Sequence, residues 1–202
     1  ATGTLTSGGG GDSAATDQAG DLMFGAAAAT LAGSLNLTGQ NIDLRSSAGA
    51  ITVTGAVNAA SDARFQTQTT TGGAITVGTV TAGRDILLDG GGAGPNGVQA
   101  GSLTAGGDVA VRSRDGSAAN LADISAGDDV AIRSGAGDVT VTGPVSAGGG
   151  ADSAGVADRL RDVTALTLSG HAYDLSGANI DIVGGTISTP RLLSALGEQM
   201  LS

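Results

Sequence analysis

The chain has no cysteine, no lysine and no tryptophan, and each absence removes a class of explanation. Without cysteine there are no disulfides and no thiolate metal ligands, so neither a stapled mini-fold nor a zinc ribbon is open to it. One Tyr and two Phe are the whole aromatic complement of 202 residues. That is too few to fill the centre of a compact globule or to give sugar rings a stacking platform. With no lysine, nine Arg face 18 Asp and one Glu, and the resulting net charge of −10 argues against nucleic acid as a partner. No stretch approaches the roughly 18 apolar residues that a transmembrane span needs. Ala1 is not preceded by Met or by a basic-then-apolar leader, which gives the expectation of a mature or excised segment, soluble by itself.

What is abundant is glycine, 37 residues, together with Ala, Val, Ile and Leu in a repeating arrangement. Residues 106–126, GGDVAVRSRDGSAANLADISA, are re-read by residues 127–147, GDDVAIRSGAGDVTVTGPVSA. Asp108 and Asp129 mark an offset of 129 − 108 = 21 residues, with Val109, Val111, Arg112 and Ser113 over Val130, Ile132, Arg133 and Ser134. A period of about 20 to 50 residues signals a solenoid, a propeller or an array. The same frame reaches back through Asp85, Asp62 and Asn41. A second column, Val57, Val80, Leu103, Ile124 and Val145, is followed two residues later each time by Ala59, Ala82, Ala105, Ala126 and Ala147.

Within each turn the apolar pattern alternates with period two over three short pieces bounded by Gly, Ser or Asn, as in IDL from Ile42, ITV from Ile51 and VNA from Val57. Strands this short cannot pair within a turn but can pair with their equivalents in the next. The fold class expected is therefore all-β, a parallel β-helix with three short strands per turn of 21–23 residues. In this frame Val111 and Ile132 point inward and Ala110 and Ala131 outward. Leu22 and Phe24 sit one turn before Ile42 and Leu44, and NIDI from Asn179 repeats NIDL from Asn41. The fourth turn is expected to have a thinner core, because Ala118 and Asn120 fall 21 residues before Val139 and Val141.

The expected divisions are a Gly-rich segment over residues 1–20, the β-helix over 21–188 with a loop insertion at about 148–163, and a C-terminal amphipathic helix over 189–202. Val156, Leu160 and Val163 mark a brief helix on the insertion. For the C-terminal helix, Thr189 is the N-cap, Pro190 the first helical residue, and Leu192, Leu193, Leu196 and Met200 the apolar stripe that would cover the solenoid end.

Candidate chemistry is thin. His171 is the only histidine, and it has no Cys or second His with which to make a metal site or a triad. Tyr173 is equally isolated. Asp62, Asp85, Asp108 and Asp129 would stack one strand spacing apart, where neighbouring charges repel by about 0.9 kcal/mol in water. A cation could relieve that, yet Asn41 and Asn179 occupy the same place without charge, which favours an Asx turn role bonding backbone N–H groups. No metal and no cofactor are expected. GGGGDSA and GGGADSA carry only part of the calcium-binding nonapeptide order. An outward column of Arg45, Arg112 and Arg133, with Gln66 and Asp89 between, is the candidate contact for an anionic glycan, against the plainer reading of a solvated sheet face.

The segments GGDVAVRS, GDVTVTG and VSAG fit the pattern xGxDVxVxS, GxVxVxG and VxAG. In this they resemble the repeat body of filamentous-haemagglutinin-like adhesins of Gram-negative bacteria, over most of residues 21–188. The resemblance implies a right-handed parallel β-helix, exported by two-partner secretion and displayed as a long surface fibre that mediates attachment or biofilm growth. The function expected is thus a structural and adhesive element of a bacterial cell-surface or secreted fibre, without catalysis. Its partners would be a further β-helix segment or neighbouring subunit and a cell-surface glycan. The alternatives are a self-assembling surface-layer or filament subunit and a β-helical polysaccharide-degrading enzyme, the latter poorly served by one Tyr and no Trp.

Overall fold

The structure, a computed structural model, describes residues 3–6, 22–26, 30–31, 35–46, 49–67, 73–91, 96–114, 117–134, 137–148, 180–183, 187–188, 193–194 and 199–201. These residues form a parallel β-solenoid of three sheets. Sheet I stacks Gly3–Thr6, Leu35–Gly39, Val57–Ala59, Val80–Ala82, Leu103–Ala105, Ile124–Ala126, Val145–Ala147 and Leu193–Ser194. Sheet II stacks Leu22–Ala26, Ile42–Ser46, Ala63–Thr67, Ile86–Gly91, Val109–Arg114, Val130–Ser134, Ile180–Val183 and Gln199–Leu201. Sheet III stacks Thr30–Leu31, Ile51–Val53, Ile75–Val77, Asn96–Ala100, Ala118–Leu121, Val139–Val141 and Ile187–Ser188. Five consecutive turns, from Leu35 to Val141, each give one strand to each sheet.

The register follows the sequence columns. Val57, Val80, Leu103, Ile124 and Val145 pair in succession, as do Leu44, Phe65, Leu88, Val111 and Ile132. All are buried, so the core is a set of aliphatic ladders with Phe65 as its largest side chain. A narrow interior needs no other aromatic, which accounts for the composition. Leu22 and Phe24 pair with Ile42 and Leu44 as the repeat frame requires.

Each corner has its own chemistry. Where sheet I turns into sheet II, a β-carbon added at Gly106 would strike the carbonyl oxygen of Gly83, and one added at Gly127 that of Gly106. The Ala-Gly pair closing each VxAG segment is a close backbone approach of successive turns. Between sheets II and III, buried hydroxyls tie the loops back. Ser46 Oγ accepts from Gly49 N at 2.8 Å, Thr67 Oγ1 donates to the Gly73 carbonyl at 2.7 Å, and Ser113 Oγ donates to the Ser117 carbonyl at 2.8 Å. Gly73 itself has φ 131°, a conformation closed to other residues. Between sheets III and I the connection holds two residues after Val77, Ala100 and Leu121 but three after Val53 and Val141. Pro144 lies in one of the longer connections, directly before its strand, where no N–H is needed.

Three expectations are corrected and a fourth is refined. The C-terminal segment forms strands: Leu193–Ser194 pairs with Val145 and Ser146, and Gln199–Leu201 with Ile180–Ile182. An isolated helix of some fourteen residues is marginal, whereas a strand laid on an open sheet edge satisfies that edge at once, so there is no helical cap among the described residues. Gly3–Thr6 is a strand paired with Leu35–Thr38, so the solenoid begins before residue 21. In the fourth turn Ala119 and Leu121, not Ala118 and Asn120, pair with Val139 and Val141. The two-residue connection before Ile124 shifts the frame by one, and Leu121 fills the core at 3% exposure. Finally, Ala110 and Ala131 lie on the outer side of sheet II by alternation, yet they are 3% and 1% exposed. The insertion and its brief helix fall within residues 149–179, outside the described residues, and the strand frame returns at Ile180.

Candidate functional site

The Asp column forms a ladder of hydrogen bonds running through the corner between sheets I and II. Asn41 Oδ1 accepts from Asp62 N at 3.1 Å, Asp62 Oδ1 from Asp85 N at 3.4 Å, Asp85 Oδ1 from Asp108 N at 2.9 Å, and Asp108 Oδ1 from Asp129 N at 3.0 Å. All five residues are buried. The backbone role expected of the column is present, and the side chains of Asn41, Asp62, Asp85 and Asp108 each serve the next turn. A buried backbone N–H must find an acceptor, and the Asx residue leading into four successive sheet II strands supplies one for its successor.

The residue just before each rung had no role in the sequence reading, and it sets the local charge. Arg84 hydrogen-bonds Asp62 through both Nε and Nη2, and its Nε lies 3.6 Å from Asp85. One turn further on the equivalent residue is Gly107, and after that Asp128, so Asp108, Asp128 and Asp129 gather carboxylate oxygens within 4.8 Å of one another, all buried. The signal was legible as GDD in place of GRD or GGD. These three residues are the described group able to hold a hard, oxygen-seeking cation. Because Asp108 Oδ1 already accepts from the backbone, a chelator is expected to leave the melting temperature unchanged. A large drop, reversed by added calcium, would show that the cluster holds an ion and that the ladder is not self-sufficient.

Arg45, Gln66, Asp89, Arg112 and Arg133 do form one outward column on sheet II. Arg45, Gln66 and Arg112 meet carboxylates there. Arg45 binds Asp43 with Nε and Nη2 at 2.9 and 2.6 Å. That hydrogen bond raises the guanidinium further above its ordinary value, against the opposing effect of partial burial, so its charge is permanent. Asp89, 2% exposed, receives Arg112 at 3.4 Å, Arg114 at 3.2 Å and the Gln66 amide at 3.1 Å. Arg133 is 3% exposed. Of the three candidate arginines only Arg45 offers substantial surface, its side chain being 39% exposed. Leu87, Ala110 and Ala131 on the same face are also buried.

The other two outer faces carry no charge in their central columns. On sheet I, Asn58, Thr81, Thr104, Ser125 and Ser146 follow one another, and on sheet III, Thr52, Thr76, Gln99, Asn120 and Thr140. His171 and Tyr173 lie outside the described residues. No described helix is long and apolar enough to cross a membrane. Comparison of the chain with protein-family models, with curated proteins and with solved structures finds no match in any of the three, and the functional reading rests on the chain's own residues.

Proposed function

We propose that the chain is a structural and adhesive element of a bacterial cell-surface or secreted fibre, without catalysis, of the kind the filamentous-haemagglutinin-like resemblance implies. The observation that carries this reading is the sameness of the turns: five successive coils repeat the same inward columns, and the Asx ladder links their corners. What such a chain specifies is a rod of given length with lateral faces. The last strand of each sheet in a solenoid has one unpaired edge, and the partner that fits it is a further coil of the same kind. The proposed partners are therefore a further β-helix segment or a neighbouring subunit, with a surface glycan on a lateral face.

The test is attachment. Beads coated with the protein are expected to adhere to host or bacterial surfaces above beads coated with an inert protein, and a reducing-sugar assay over uronate polymers is expected to stay flat. Turnover of any such polymer would replace this reading with the polysaccharide-degrading one. An ordered two-dimensional lattice in electron micrographs of the purified protein would replace it with the surface-layer one.

A further inference from the structure

Among the described strands every charged residue lies on sheet II, five arginines against three aspartates, so this sheet carries a positive surplus on a chain of net charge −10. An anion is drawn to it and not to the other two sheets. Three of the five arginines are engaged or enclosed: Arg45 holds Asp43 with two hydrogen bonds, Arg64 donates Nη2 to Gln66 Oε1 at 2.8 Å, and Arg133 is buried. Arg112 and Arg114 differ.

These two stand two residues apart on the strand Val109–Arg114, about 6.6 Å at about 3.3 Å per residue, and both face outward. They share one carboxylate. Asp89 Oδ1 lies 3.4 Å from Arg112 Nε and 3.2 Å from Arg114 Nε, yet all three atoms are buried without a hydrogen bond. For Arg112 that ion pair is the only polar contact with the described residues. Arg114 adds two long ones, from Nη2 to Thr67 Oγ1 and to the Asp89 carbonyl, both at 3.4 Å. A guanidinium has five N–H donors, and buried donors ordinarily find acceptors. Here two positive charges have one negative between them, and the terminal Nη1 and Nη2 of Arg112 have no acceptor among the described residues. A second oxyanion matches that deficit, because carboxylate, sulfate and phosphate groups each accept paired N–H bonds from a guanidinium fork. The side chains of Arg112 and Arg114 keep 16% and 15% exposure, so the seat opens to solvent.

We propose that Arg112 and Arg114 hold an oxyanion group above the buried Asp89, the charged group of an acidic glycan. The proposal rests on the adhesive reading for the source of that group and deepens the reading by naming what is recognised. Of the three arginines singled out in the sequence it keeps Arg112, and it adds Arg114.

Titration calorimetry of the whole chain at low salt tests it, with inorganic sulfate, inorganic phosphate, a sugar phosphate, an oligouronate and a neutral malto-oligosaccharide as probes. At least one acidic saccharide is expected to bind saturably and to weaken as sodium chloride is added, and the neutral one is expected not to bind. Arg112→Gln and Arg114→Gln are each expected to weaken binding about tenfold or more, through loss of a charge-assisted hydrogen bond. Arg112→Lys keeps the charge without the fork and is expected to weaken it as well. Arg45→Gln removes the same charge from an arginine already paired, and is expected to leave affinity unchanged. Absence of binding by every oxyanion, or equal losses in Arg45→Gln and Arg112→Gln, would overturn the seat. Binding of the inorganic ions with no acidic saccharide would overturn the glycan as its source. Coated beads that adhere in either case leave the adhesive reading standing, and beads that fail to adhere while the seat binds remove that reading alone.

Discussion

Val111→Asp is expected to destabilise the solenoid by about 4 kcal/mol or more, the range reserved for an unpaired charge in a dry core. Val111 is fully buried, between Leu88 and Ile132 in its column, with no described polar partner in that ladder. The control is Thr104→Asp, on the exposed central column of sheet I, where a change of about 0.5 kcal/mol or less is expected. Both variants add one negative charge to a chain already at −10, so overall self-repulsion cancels between them. Ala110→Asp, an outward residue 3% exposed, is expected to resemble the core variant more than the surface one. Each turn touches chiefly its neighbours, so hydrogen exchange should show the lost protection concentrated in the adjoining turns. Equal melting curves for Val111→Asp and Thr104→Asp would refute the inward and outward assignment of these strands.

The second large effect is expected from Asp108→Ala. It strips the acceptor from Asp129 N in a site where Asp108 is 5% exposed, and a buried donor left unmatched costs about 1–3 kcal/mol. Asp108→Asn keeps the oxygen, as Asn41 already does for Asp62 N, and is expected to match or exceed the parent chain by removing one of three clustered carboxylates. Urea denaturation at neutral pH separates the two variants. If asparagine proves as damaging as alanine, the carboxylate serves by its charge, and the hydrogen-bonded ladder is not what holds these corners together.

Much of this architecture was legible because a solenoid writes its contacts at a fixed period. Val57, Val80 and Leu103 touch for the same reason that they align. The Asx role could be inferred from Asn41, since an amide standing where Asp recurs points to the shared oxygen. The failures came where period and local pattern disagree. Leu192, Leu196 and Met200 satisfy a helical spacing, but an open strand edge offers more than intrinsic helix propensity does, and that edge is invisible in the local sequence. Ala118 was placed one residue off because a shortened connection leaves no mark when the compared turns have equal total length. The meeting of Asp128 with Asp108 depends on which corners stack, and the burial of Ala110 and Ala131 is long-range; alternation alone reveals neither.

The uneven connections carry one more consequence. Measured on the first inward column of sheet I, from Leu37 through Val57, Val80, Leu103 and Ile124 to Val145, the turns are 20, 23, 23, 21 and 21 residues long, yet the strands stay in step. Small insertions and deletions are absorbed at the corners, so selection can lengthen or shorten the molecule by duplicating or deleting whole coils without redesigning the remainder. Each coil gained extends the rod by about 4.8 Å. In a surface fibre of the kind proposed above, the number of coils would set reach, the distance at which a lateral face is presented.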